Sequence, residues 1–153
     1  MRTMSRRIDS VIALGIGFAL LAATSIFGDP IYAGIRYYLI AWFGLVGLAQ
    51  IAKAPPLFTT GAAAALAASF LFYWAWQASL PQPEGLLGLG HLFSLPGLGI
   101  AAVIAAVIAR RRQMLPWAAF AAGLLACCAG FAASHFVVCR SMVYCGSLSG
   151  ISG

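Results

Sequence analysis

Five long apolar runs, separated by short polar or proline-containing connections, leave this chain few ways to fold. They are Val11–Phe27, Ile31–Ala52, Phe58–Leu80, Leu92–Ala109 and Leu115–Val138. Each approaches or exceeds the roughly 20 residues that carry a helix across a hydrocarbon core of about 30 Å. Backbone groups in lipid have no water to bond, so a spanning segment must satisfy them internally, as a helix does. A membrane strand would show apolar/polar alternation over about ten residues, and none is visible. The expected fold is all-α: a polytopic transmembrane helix bundle of about five spans, forming one integral domain with a short exposed tail at residues 139–153.

Composition points to the same solvent. The chain of 153 residues is 63% hydrophobic and 8% charged, whereas soluble domains carry about 25% charged residues. A soluble domain of this size buries only about 70% of its unfolded surface, too little to hide so much apolar area. The formal charge of +6 falls in short clusters between apolar runs, which is a topology signal rather than a nucleic-acid surface. With the N-terminus in the cytoplasm, alternation puts Arg2, Arg6, Arg7, Lys53, Arg110, Arg111 and Arg112 inside and Arg36 and Arg140 outside. Cytoplasmic loops carry this kind of excess. The C-terminus is then expected on the periplasmic or extracellular side of a bacterial inner membrane. Tyr37, Tyr38, Phe72, Tyr73, Trp74 and Trp76 are expected at the outer interface, and Trp117 at the inner one.

Punctuation supports the segment boundaries. Asp29-Pro30 suits the N-cap and first turn of the second helix, and Pro116 the first turn of the fifth. The first run follows a basic stretch but lacks a small-residue cleavage site, and is read as a retained helix rather than a leader. The fourth is less regular. LLGLGHLFSLPG, residues 86–97, is apolar yet glycine-rich, and is read as a helix extension, or an interfacial or re-entrant piece. Small residues recur at helical spacing: Ala118, Ala122, Ala126, Gly130 and Ser134 in the fifth run, Ala101, Ala105 and Ala109 in the fourth. Such rows let helix backbones approach closely.

The candidate chemistry is concentrated between Cys127 and Cys145, which contains all four cysteines and His135. At 100° per residue, Cys128, His135 and Cys139 share one helix face, and His135 and Cys139 are spaced to grip one soft metal ion. Cys139 and Cys145 would form a disulfide in an oxidising compartment if the helix ends between them. The vicinal pair Cys127-Cys128 together with the C-x5-C spacing of Cys139 and Cys145 resembles the cysteine usage of small mercury-uptake membrane proteins. That resemblance implies soft-metal transport, although here both elements lie on one helix and its tail. Arg36, in the second run, is a candidate contact for an anion, a lipid headgroup or a partner.

No phosphate-binding, dinucleotide-binding, zinc-protease or nucleophile-elbow motif is present, and no cofactor is called for. The three acids Asp9, Asp29 and Glu84 are expected outside the spans, which leaves general acid–base catalysis little to work with. The expected function is a small non-enzymatic accessory or assembly subunit of a bacterial membrane complex of secretion, conjugation or respiratory type. Its partners would be the lipid bilayer and other membrane subunits or further copies of itself. The alternatives are a small transporter or channel for a thiophilic metal, and a periplasm-facing thiol redox protein using Cys139 and Cys145.

Overall fold

A computed structural model describes residues 6–28, 34–80 and 87–141. These form an all-α bundle: α1 (Arg6–Phe27), α2 (Ile35–Ile51), α3 (Phe58–Ser79), α4 (Leu87–Arg111) and α5 (Pro116–Ser141). Four of the five, all but α2, are long and apolar enough to cross a membrane. The chain is a multi-pass membrane helix bundle. Successive helices alternate in direction, which gathers Arg6, Arg7, Lys53 and Arg110–Arg112 at one end, the basic end.

Elements at the basic end are joined by polar contacts. α1 begins five residues before the expected Val11 and carries Asp9 inside the bundle, 1% exposed. The expectation that Asp9 lies outside the spans is thus corrected. The reason lies in α3, whose N-cap position is Leu57, a residue with no side-chain acceptor. Asp9 supplies the cap from α1. Its carboxylate accepts from the backbone N–H of Thr59 at 3.1 Å and of Thr60 at 2.9 Å, and from the Thr60 hydroxyl at 2.6 Å. These are the amides a local cap would satisfy, and a negative charge at a helix N-terminus is favoured by the dipole. Trp42 of α2 donates its indole N–H to the Ala13 carbonyl at 2.8 Å and lies flat against Gly17, where any Cβ would enter the ring.

Backbone-to-backbone packing joins α3, α4 and α5. A Cβ on Gly123 would stand 2.5 Å from the Phe58 carbonyl oxygen, and one on Gly61 would collide with that of Phe120. Gly97 and Gly130 press together in the same way, each within 2.5 Å of the other's carbonyl oxygen by the same measure. Lipid removes the hydrophobic drive between helices, so dispersion across such close approaches is what holds them. The buried row of α5 runs through Ala119, Gly123 and Cys127, one residue offset from the expected Ala118–Ala122–Ala126 row. Beyond Pro96 the buried positions of α4 are Leu98, Ala102, Ala106 and Ala109.

α4 is continuous from Leu87, so the segment before Pro96 is a helix extension and not a re-entrant loop. Proline removes one N–H and crowds the carbonyl four residues back, and in a membrane bundle neighbouring helices support the break. Asp29-Pro30, Glu84 and the start of the expected second span lie outside the described residues.

Candidate functional site

The end opposite the basic end holds a polar cluster that crosses four helices. His91 of α4 is fully buried, as is Ser94, while Tyr73 of α3 is 1% exposed and Ser69 8%. Ser69 spends its proton on the Leu66 carbonyl at 2.7 Å, so its oxygen accepts from His91 Nε2–H at 3.0 Å. That fixes the tautomer, because the remaining Nδ1 lone pair must accept. It takes the hydroxyl proton of Tyr37, from α2. Ser94 likewise donates to the Gly90 carbonyl at 2.6 Å.

His135 of α5 forms the second half. Its Nδ1 lies 3.0 Å from the Tyr73 hydroxyl and 3.3 Å from Ser94 Oγ. The two imidazoles are linked through shared aromatic neighbours. Tyr73 lies edge-on to both, at centroid distances of 4.7 Å and 5.9 Å, and Phe131 lies 5.1 Å from one and stacks on the other at 6.0 Å. The histidines, tyrosines and serines of this cluster persist at this depth because each finds a partner. The expected outer aromatic belt is corrected in part. Tyr38 and Tyr73 are buried, and their hydroxyls bond inside the bundle, Tyr38 accepting from Trp74 Nε1 at 3.4 Å.

Among the described residues of this region, one buried polar side chain has no partner. Gln77 is 8% exposed, and neither its amide nitrogen nor its oxygen is bonded. It lies one turn beyond Tyr73 on the same face of α3, directed by helical spacing toward the cluster side of the bundle.

The residues singled out in the sequence distribute as follows. His135 and Cys139 are brought together, but the sulfur stands 3.4 Å and 3.5 Å from the two ring nitrogens and so lines up with neither lone pair. Among the described residues no group of three or more His, Cys, Asp or Glu stands close enough to hold a metal ion. Cys128 does not join them. It is exposed, whereas Cys127 is buried. The single shared face expected for Cys128, His135 and Cys139 fails because the buried face of α5 turns along its length. The lower half packs on α3 through Gly123, and the upper half packs on both α3 and α4 through His135 and Ser134. α5 runs on to Ser141, so Cys139 belongs to the helix and is buried rather than opening a tail. Cys145 and its pairing with Cys139 lie outside the described residues. Arg36 is exposed at the start of α2.

Sequence reasoning missed His91 and Gln77. The signal was present: each is a strongly polar residue inside an apolar run, and such residues are retained where they do something. Comparison with protein families, with characterised proteins and with solved structures finds no match for this chain.

Proposed function

We propose that the chain is a small non-enzymatic subunit of a bacterial inner-membrane assembly, with its N-terminus cytoplasmic and with α5 as the helix that meets a neighbouring membrane subunit. One contrast carries this reading. α4 presents Leu92, Phe93, Ile100, Ile104 and Ile108 to its surroundings, the large side chains that suit lipid. α5 has already used Gly123 and Gly130 for its own bundle, and although Leu125, Phe136 and Val137 are exposed on it as well, its outer face carries a second set of small residues, Ala118, Ala121, Ala129, Ala132 and Ala133, beside Cys128, which α4 does not match. Cys128–Ala132 and Ala129–Ala133 each give the small-xxx-small spacing that lets a second helix approach. The seven-to-two bias of cationic residues supports the orientation.

Substitution on the two faces tests it. Ala132→Leu adds bulk outside the fold of the single chain and is expected to release it from its assembly, so that it migrates at its own mass in native electrophoresis. Ile104→Leu on α4 is expected to leave the assembly intact. A wild-type chain that already migrates alone at 16.0 kDa would refute the proposal. The thiol redox reading is narrower and rests on the position of Cys139 at the end of the bundle opposite the basic end. It requires Cys139 and Cys145 to label with an impermeant maleimide only after reduction.

A further inference from the structure

An apolar groove of about 630 Å3 runs between α2 and α4, with Leu66 of α3 at its base. Its volume falls within the roughly 300–1,000 Å3 of small-molecule sites. Two glycines keep it open. Gly44 of α2 could carry a Cβ without meeting any atom within 4 Å, and Gly99 of α4 faces Leu48. The groove extends from Tyr37 to Leu48 on α2 and from Leu92 to Ile104 on α4. At about 1.5 Å per residue that is roughly 16–18 Å, about half of a hydrocarbon core of ~30 Å. It therefore spans one leaflet. A transmembrane helix laid here would need about twice that length, whereas one lipid chain needs no more.

The end of the groove is charged. Ile40, Gly44 and Leu48 line it as an i, i+4 row on α2, and the next position of that row is Arg36. Arg36 is exposed and, among the described residues, makes no hydrogen bond or ion pair. The wall beside it is fixed, because the Tyr37 hydroxyl is held by His91. A cation one turn beyond a chain-length apolar groove, near a leaflet boundary, is complementary to a phosphate ester that carries a hydrocarbon chain.

We propose that this groove binds one hydrocarbon chain of an anionic phospholipid from the leaflet at the polar-cluster end, with the lipid phosphate held at Arg36. The site is independent of the α5 face assigned to a protein partner, and it lies on the side of the bundle whose large apolar residues suit lipid.

The test is native mass spectrometry of the full chain, purified and delipidated, then mixed with phosphatidylglycerol or phosphatidylcholine of identical chains. The expected result is one retained lipid, with phosphatidylglycerol favoured about fivefold, the strength of one basic residue's attraction to an anionic lipid surface. Arg36→Gln, an exposed change that leaves the fold alone, is expected to equalise the two lipids. Gly44→Leu fills the groove and is expected to reduce binding of both at least tenfold, with an unchanged melting midpoint. Equal binding of the two lipids by the wild-type chain would overturn the proposal. So would full lipid retention by a folded Gly44→Leu chain, or a second copy of the chain in place of lipid. If Gly44→Leu does not fold, the lipid preference and its loss in Arg36→Gln decide alone.

Discussion

The two ends of the bundle solve the same problem in opposite ways. Each buries polar groups in a membrane. At the basic end one carboxylate, Asp9, meets the free amides of one helix start, and its described contacts are all to Thr59 and Thr60. Close glycine contacts seal the helices beside it. At the other end two histidines, two tyrosines and two serines share hydrogen bonds across four helices, Gln77 is left without a partner, and an apolar groove opens beside Tyr37. A closed end holds the fold together; an end with an unsatisfied group and an open groove is where something can bind. Stability should therefore depend most on the basic end and the glycine seams.

The largest effect is expected where backbone meets backbone. Gly123→Leu drives a side chain into the Phe58 carbonyl and is expected to cost about 3 kcal/mol or more, read from SDS titration in mixed micelles. Next is the cap. Asp9→Ala leaves two α3 amides unbonded at a buried site and is expected to cost about 2 kcal/mol in the same titration. Asp9→Asn, which keeps an acceptor oxygen, should retain about half of that. Gln77→Leu reverses the sign. It removes two unpartnered buried polar atoms and is expected to gain about 1 kcal/mol; a loss instead would mean that Gln77 is bonded in the working protein. The smallest effect is Tyr73→Phe, which deletes one hydrogen bond to His135 and is expected to cost about 0.6 kcal/mol, the average for such bonds in membrane bundles. A Tyr73→Phe cost exceeding that of Asp9→Ala would erase the contrast between the two ends.

The fold was legible because lipid imposes a single rule on the backbone. Apolar runs of the right length gave five helices, and proline and arginine clusters placed their ends within a few residues. Misreadings arose where an interaction was tertiary. Nothing local marks Asp9 as the cap of a helix that begins at Phe58, because the pairing spans fifty residues and its clue is the absence of a cap at Leu57. A fixed 100° wheel put Cys128 beside His135, but a helix whose packing partners change along its length does not keep one buried face. The candidate site was half legible. His135 and Cys139 drew attention through their spacing, whereas His91 sat in a glycine-rich segment whose helical state was open. Arg36 was legible as a charge, and the groove proposed to give it a role was not, because that groove forms only where α2 and α4 meet over Leu66 of α3.

The claim that α5 faces a protein while α4 faces lipid is tested most directly by photo-crosslinking in native membranes, with benzoylphenylalanine placed at position 132 or at position 104. The account predicts a discrete protein adduct from position 132 and lipid adducts alone from position 104. Lipid adducts alone from both positions would contradict it.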